Sequence, residues 1–198
     1  MKLVADTIAC TRGGREVFAG LSFSVAAGEA LLVTGRNGAG KSSLLRAIAG
    51  LVRLTAGTLA LEPDGDRSLA EQVHYLGHHD AVKPALSVGE NLQFWTAYLG
   101  GNGDTDDALA AVGLDAIGHL PAGTLSAGQK RRLSIARLVA AKRPVWLLDE
   151  PTASLDAPAQ SDLAGIMDRH LHGGGIVIAA THADIGLKSA RSLRLGAA

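Results

Sequence analysis

The sequence has 198 residues, a length typical of one domain, and its 47% hydrophobic and 19% charged content excludes a disordered or collagen-like chain. Its 19 basic residues balance 19 acidic ones, so the chain lacks the overall positive field that proteins use to hold nucleic acid or an anionic membrane surface. Cys10 is the only cysteine, which excludes an intramolecular disulfide and indicates a reducing compartment.

Apolar patterns predict a strand, a loop and a helix near the start of the chain. Residues 21–25 alternate apolar and polar side chains, as a half-buried strand does, and residues 30–34 form a continuous apolar run typical of a strand buried on both faces. After a glycine-rich loop, Leu44, Ile48 and Leu51 recur at helical spacing.

The middle third is predicted to be helical. Ser87-Val-Gly-Glu90 matches a capping box and is followed by an apolar stripe, a second helix is expected over about 105–112, and a third begins at Ser126. No strand is expected between about 76 and 145. We therefore predict a single domain, with a helical insert over about 79–136 in a core formed by about 1–78 and 137–198.

Two further apolar runs, 145–148 and 176–180, are separated by a helix-compatible stretch, which favours βαβ units and a parallel sheet. Both runs are far shorter than the roughly 20 residues of a membrane-spanning helix, and the first ten residues lack a signal-peptide pattern. We therefore expect any membrane role to come through a partner.

The strongest local signal lies between the strand at 30–34 and the helix after it, where the sequence matches G-x-x-x-x-G-K followed by Ser or Thr. In such a loop the backbone N–H groups wrap a phosphate, and the helix N-terminus adds partial positive charge. Lys41 is expected to reach the β and γ phosphates, and Ser42 to offer its hydroxyl to Mg²⁺. A plain glycine turn is the structural alternative. The predicted nucleotide-binding residues are Gly35, Arg36, Asn37, Gly38, Ala39, Gly40, Lys41, Ser42 and Ser43.

A second chemical signal is a pair of acidic residues, Asp149 and Glu150, directly after the apolar strand at 145–148. If this strand neighbours the one that precedes the phosphate loop, Asp149 lies beside that loop and can hold the shell of a Mg²⁺ ion. Glu150 then lies where it can orient or deprotonate an attacking water. The alternative is two acids that open a turn before Pro151.

The segment 125–129, LSAGQ, supports two interpretations. Ser126 and Gln129 form a capping box, and the basic triplet 130–132 has the character of a solvated helix face. From the residues alone, this structural account is preferred.

Taken together, however, the motifs resemble those of the ATP-binding subunits of ABC transporters. Residues 35–42 are similar to the family's Walker A motif, 147–150 to its Walker B motif and 125–129 to its signature motif. Residues 154–156 resemble the D-loop, and 181–182, after an apolar strand, the H-loop. The resemblance implies an α/β P-loop ATPase core with a mixed or parallel sheet and an inserted helical subdomain, and ATP and Mg²⁺ as cofactors.

The resemblance also implies a head-to-tail homodimer with two ATP molecules between the subunits. His182 would contact the γ-phosphate and the attacking water, although a packed or capping histidine is the plainer interpretation. The residues implied to act in trans, on the partner's ATP, are Ser126, Ala127, Gly128, Gln129 and Asp156. Asp156 also has the features of a helix N-cap.

Two departures from the family's pattern narrow the resemblance. His78 occupies the place of a glutamine that most members carry before the helical insert, and Arg12 is the candidate for stacking on adenine where most members have an aromatic residue. His74 and His79 lie close to His78, but no C-x-x-C-H motif occurs, so a haem-ligand set is the less favoured interpretation.

With these departures, the chain most resembles the ATP-binding subunits of the bacterial cytochrome c maturation system, which are described as haem exporter ATPases. This implies an ATPase held peripherally on the cytoplasmic side of the inner membrane by integral membrane transporter subunits. An ABC ATPase for another small molecule is one alternative. A soluble ABC-type ATPase acting on nucleic acid or ribosomes is another, which the neutral charge and single cassette disfavour.

Overall fold

The computed structural model describes residues 1–63 and 65–196, which form two sheets with helices packed around them. The smaller sheet is antiparallel and consists of β1 (Lys2–Arg12), β2 (Arg15–Ala26) and β4 (Ala56–Glu62), with β1 in the middle. Residues 21–25, predicted as a strand, lie within β2. The other two strands of this sheet were not predicted. The pairing of β1 with β2 shifts register three times, and such irregularities break the alternation of apolar and polar residues that predicts a strand.

The larger sheet is parallel, with the order β5-β6-β7-β3-β8. β6 and β7 are buried at every position, as their continuous apolar sequences predict. The parallel α/β architecture expected from the sequence is thus confirmed. The five strands are β3 (Ala30–Thr34), β5 (Val73–Leu76), β6 (Val145–Asp149), β7 (Ile176–Ala180) and β8 (Ala190–Arg194).

Three helices, α3, α5 and α6, begin at the caps predicted for them. The Ser87, Ser126 and Asp156 side chains accept hydrogen bonds from backbone N–H groups of the following first turns at 3.0–3.2 Å. The helices are α1 (Lys41–Ile48), α2 (Leu69–Gln72), α3 (Val88–Tyr98), α4 (Thr105–Ala110), α5 (Ala127–Ala140) and α6 (Ala157–His172).

Between β5 and β6 the described chain contains only helices and short 3₁₀ turns, as expected. The insert limits of 79–136 stay a prediction, and α5 continues past the second of them to Ala140.

The parallel sheet separates two hydrophobic cores. Alternate residues of β7 face opposite sides: Ile176 and Ile178 pack with α1 and the antiparallel sheet, whereas Val177 and Ala179 pack with the helices α3 to α6. Burial of both faces makes the sheet a rigid support for the loops at its carboxyl edge. No helix in the described residues is long and apolar enough to cross a membrane.

Candidate functional site

The loop between β3 and α1 is shaped by glycines in backbone conformations that other residues rarely adopt. Gly35 has φ +140° and Gly40 has φ +98°. A Cβ at Gly35 would lie 2.5 Å from the Leu195 carbonyl oxygen, and one at Gly40 would lie 2.6 Å from Val17 Cγ1. The loop therefore packs against β2 and the end of β8 with no room for side chains at these two positions.

Lys41, the first residue of α1, turns its side chain back over this loop. Its Nζ donates to the carbonyl oxygens of Gly35 at 2.9 Å and Arg36 at 3.3 Å, and lies 2.8 Å from Nε2 of His182. The same Nε2 lies 3.0 Å from Asn37 Oδ1. Because a ring nitrogen either accepts from the lysine or donates to the amide oxygen, it serves one of these contacts at a time. His182, at the end of β7, is thus brought to the phosphate loop.

The carboxylate of Asp149 is held from two sides. Ser42 Oγ donates to Oδ1 at 3.0 Å, and the Tyr75 hydroxyl donates to Oδ2 at 3.2 Å. Burial is the main cause that raises the pKa of Tyr75, so its phenol stays protonated and remains a donor. Arg46 Nε donates to the same hydroxyl at 3.3 Å.

Tyr75 and Arg46 were not predicted. Arg46 could have been found, because it lies four residues after Ser42 on the same helix face. Tyr75 carries no such local signal, since only the pairing of β5 with β6 brings it to Asp149.

Asp149 was expected beside the phosphate loop on the condition that its strand neighbours the strand before that loop, and this condition is wrong. The strands that precede Lys41 and Asp149, β3 and β6, are not neighbours, because β7 lies between them. The loop passes across the end of β7, and α1 packs against both β6 and β7. Ser42 therefore reaches Asp149 across the intervening strand.

The oxygen atoms of Ser42 and Asp149 form a donor pair suited to Mg²⁺, a hard cation. No group of three or more His, Cys, Asp or Glu side chains close enough to hold a metal occurs within residues 1–63 and 65–196. Mg²⁺ commonly binds through one or two protein oxygens together with substrate phosphates and water. The two residues present fit an ion that arrives with a nucleotide.

A cavity of about 420 Å³ lies over the first turn of α1. Half-buried Glu150, with φ +46°, and exposed His78 both contribute to its wall, close to the phosphate loop. The cavity joins predicted loop, acid and histidine residues in one concave surface. The lining residues are Val17, Asn37, Gly38, Gly40, Lys41, Ser42, Ser43, Arg46, His78, Asp149 and Glu150.

The remaining loop residues and Arg12 are placed differently. Arg36 contributes its carbonyl oxygen to both Lys41 and the backbone N–H of Ala39. Arg12 is exposed at the end of β1, next to the hairpin turn, and does not line the cavity, whereas Val17 from the same hairpin does. The adenine contact assigned to Arg12 stays a prediction.

The five residues expected to act in trans lie on a separate surface and none of them lines the cavity around Lys41. The capping box of Ser126 and Gln129 is present at the start of α5. A Cβ at Gly128 would lie 2.8 Å from the Ser154 carbonyl oxygen, so this turn packs on the loop that leads to Asp156. Ala127 is exposed beside them.

A larger groove of about 580 Å³ opens between β5 and α3. Arg137 lies in its wall with 6% of its surface exposed, 4.9 Å from the centre of the Trp95 ring, and burial lowers its pKa to about 10. His74 lines the same groove but is 3% exposed, whereas His78 and His79 are exposed. The three neighbouring histidines thus share this groove but differ in burial, and the ring centres of His78 and His79 lie 5.5 Å apart.

Comparison with known proteins gives a consistent result along the whole chain. The sequence profile of the ABC transporter family matches residues 18–153. The protein named cytochrome c biogenesis ATP-binding export protein CcmA is 58% identical in Nitrobacter winogradskyi, over 100% of both chains. Its namesake in Bradyrhizobium diazoefficiens is 57% identical over 99% of this chain and 98% of its own.

Solved structures agree on the fold. An ABC transporter ATP-binding protein from Pyrococcus furiosus superposes with a TM-score of 0.85, 21% identity and 98% coverage of both chains. A dimeric ATP-binding cassette, solved in a post-hydrolysis state with ADP and phosphate, superposes with a TM-score of 0.84 and 20% identity, over 98% of this chain and 94% of its own. The α/β core with its inserted helices is therefore the fold of ATP-binding cassettes, as the motifs predicted.

Proposed function

The chain belongs to the ABC transporter family and is an ATPase of that family, and from this premise we propose that its ATP hydrolysis drives haem handling in c-type cytochrome biogenesis. The observation that carries the proposal is identity of 57–58% along essentially the whole chain to proteins named for that process. An ABC ATPase for another small molecule, or one acting on nucleic acid, is supported by no feature of the site.

The geometry supports a division of labour around the triphosphate. Lys41 and the N–H groups of the loop bind the phosphates, because the loop and the start of α1 direct positive charge to one point. Ser42 and Asp149 hold the Mg²⁺, which neutralises phosphate charge when bound.

Glu150 and His182 are the residues that act where a water molecule attacks the γ-phosphate. Glu150 lines the cavity one residue beyond the Mg²⁺ ligand and orients or deprotonates the attacking water. His182 moves from its contacts with Lys41 and Asn37 to the γ-phosphate, whose oxygen atoms accept a hydrogen bond from its ring N–H. His78, which also lines the cavity, reports the state of the γ-phosphate to the helical insert.

The second ATP contact comes from a partner copy of the chain. Ser126 and Ala127 are exposed at a helix N-terminus, and neither they nor Gly128 line the cavity of their own subunit, which supports a head-to-tail homodimer in which they reach the partner's ATP. Ser126 and Asp156 already cap helices, so capping and contact in trans are compatible in one structure.

The groove between β5 and α3 is the surface on which integral membrane subunits would dock. It combines Arg46 and Arg137 with the ring of Trp95 and the 71% exposed side chain of Tyr98, a mixture typical of interface centres. Arg46 and His78 lie in the wall of both this groove and the ATP cavity, so docking and hydrolysis share these two residues. We propose that membrane association is peripheral and occurs through these subunits, on the cytoplasmic side of the inner membrane.

The test is a haem stain for covalent c-type cytochromes in cells that carry Glu150→Gln as the only copy. Loss of the base is expected to reduce ATP turnover at least about a hundredfold while ATP still binds. We expect selective loss of c-type haem, with b-type cytochromes unchanged.

Asp162→Asn, the same carboxylate-to-amide change on the exposed face of α6, is the matched control and should leave staining normal. Normal c-type haem in cells whose Glu150→Gln protein is present and inactive would contradict the proposed process. Near-normal ATP turnover by that variant would instead remove Glu150 from its role.

A further inference from the structure

One arginine outside the motifs has all of its hydrogen-bonding capacity committed to the site. Arg131 lies on α5, is 3% exposed, and its guanidinium makes five contacts, one for each N–H it carries. Four of these contacts are to backbone carbonyl oxygens and one is to a carboxylate. Such a planar set of donors fixes both position and orientation of the groups around it.

Three of the acceptors are consecutive carbonyl oxygens at the end of β6. Nη2 donates to Asp149 at 2.9 Å and to Glu150 at 2.7 Å, and Nε donates to Pro151 at 3.1 Å. These residues form the turn that carries the proposed Mg²⁺ ligand and the proposed base. Converging carbonyl dipoles repel one another, so a cation between them stabilises the turn.

The backbone at Glu150 needs that support. Its φ of +46° is in the left-handed region, which is unfavourable for a non-glycine residue. On the other side of the turn, its N–H donates to the Ala180 carbonyl oxygen at 2.8 Å. Arg131 and β7 therefore hold the peptide groups that aim the Glu150 side chain into the cavity wall.

The same guanidinium also reaches the segment around His78. Nη1 donates to the Gly77 carbonyl oxygen at 2.8 Å and lies 3.3 Å from Asp80 Oδ1. Ser134 Oγ, on the same face of α5, lies 3.0 Å from the Asp80 carbonyl oxygen and 3.1 Å from both Asp80 Oδ1 and the Lys130 carbonyl oxygen, and its one hydroxyl hydrogen serves these acceptors in turn. The Glu150 turn and the segment around His78 are thus both hydrogen-bonded to α5.

The N-cap of that helix is Ser126, five residues before Arg131; it is exposed and does not line the cavity of its own subunit. We propose that Arg131 is a positioning residue for ATP hydrolysis: its guanidinium sets the Glu150 turn and the His78 segment relative to α5. A contact made in trans at Ser126 is then passed to the ATP site of the same subunit. This inference rests on the proposed role of Glu150.

The test compares Arg131→Gln and Arg131→Lys with the parent chain, in the complex that co-purifies with the full-length protein. Because a displacement of about 1 Å in a catalytic group costs on the order of a hundredfold, Arg131→Gln should lower kcat about a hundredfold and leave KM and nucleotide affinity within about threefold. Arg131→Lys keeps the charge but not the planar donors, so it should lose at least about tenfold in kcat while its Tm falls less than that of Arg131→Gln.

Arg132→Gln is the matched control, because Arg132 lies beside the turn that follows α4 and, among the described residues, donates hydrogen bonds to the carbonyl oxygens of Val112 and Gly113 alone, at 3.3–3.4 Å. We expect its kcat to stay within about twofold of the parent. Equal losses in kcat, nucleotide affinity and Tm for Arg131→Gln and Arg131→Lys would show that Arg131 is merely structural and overturn the proposal.

A double variant separates this inference from the role of Glu150. If Arg131 acts through Glu150, Arg131→Gln should lower single-turnover hydrolysis by less than about threefold when Glu150→Gln is already present. A further hundredfold loss in that background would refute action through Glu150. If Glu150→Gln alone retained turnover, the proposed base would be wrong, whereas normal kcat in Arg131→Gln alone would overturn only the positioning role.

Discussion

The burial of His74 in the groove between β5 and α3 can be tested through the pH dependence of protein stability. Its side chain is 3% exposed, and its Nδ1 has no hydrogen-bond partner among the described residues. Burial, and to a lesser degree the cations Arg137 and Arg143, lower the pKa of His74 from 6.5 to about 3. The folded protein therefore holds a neutral imidazole at any pH at which the fold is normally studied.

The sign and size of the effect follow from linkage. The unfolded chain binds a proton at His74 as the pH falls through 6.5, whereas the folded chain does so only near 3, so stability is lost progressively between these values. At one pKa unit per 1.36 kcal/mol, the loss from His74 between pH 8 and pH 5 is about 2 kcal/mol. Replacing His74 by Leu, of similar volume, removes this contribution and leaves the rest of the pH dependence.

The assay is urea-induced unfolding of the parent chain and His74→Leu at pH 8 and pH 5. We expect the free energy of unfolding of the parent to fall by about 2 kcal/mol more than that of the variant. His119→Gln, a change at an exposed histidine, should keep the full parent dependence. Equal pH dependence in the parent and His74→Leu would mean that water or a counter-charge reaches the ring, and would refute this account of the groove.

Two further predictions concern contacts with other subunits, one with the partner copy of the chain and one with the membrane subunits. Ser126→Arg should abolish ATP turnover and leave nucleotide binding by the separate subunit intact, because its side chain meets the partner's ATP; lost binding in the separate subunit would favour the capping role alone. His78→Ala should weaken the stimulation of ATP turnover by the membrane subunits more than it weakens nucleotide affinity, measured by titration of each complex; a change in affinity alone would make His78 a binding residue rather than a sensor.

The parts of the site that could be predicted are those written in short, contiguous patterns. The phosphate loop, the acids that end β6 and the caps of α3, α5 and α6 each depend on neighbours in sequence, and the structure has the predicted elements at these places. β6 and β7 were equally predictable, because strands buried on both faces require unbroken apolar runs.

The parts that could not be predicted depend on which elements meet in space. Tyr75 and Arg131 act on Asp149 and on backbone carbonyl oxygens through pairings that no local pattern reports. The order of parallel strands is likewise decided by chain crossings, so β7 was not expected between β3 and β6. β8 was missed because it is a half-exposed edge strand with a polar sequence, and edge strands are under weaker apolar constraint.

The position of a strand in the parallel sheet, central or at the edge, also affects how mobile the site residues after it are expected to be. β7 has a hydrogen-bonded neighbour on both sides, whereas β5 has one only on the side of β6. Amide hydrogens of β7 are therefore expected to exchange with solvent only when the whole sheet opens, and those after β5 through local opening. His182 follows a strand that is paired on both sides, whereas His78 follows the edge strand β5, so we expect the segment that carries His78 to move more readily than the segment that carries His182.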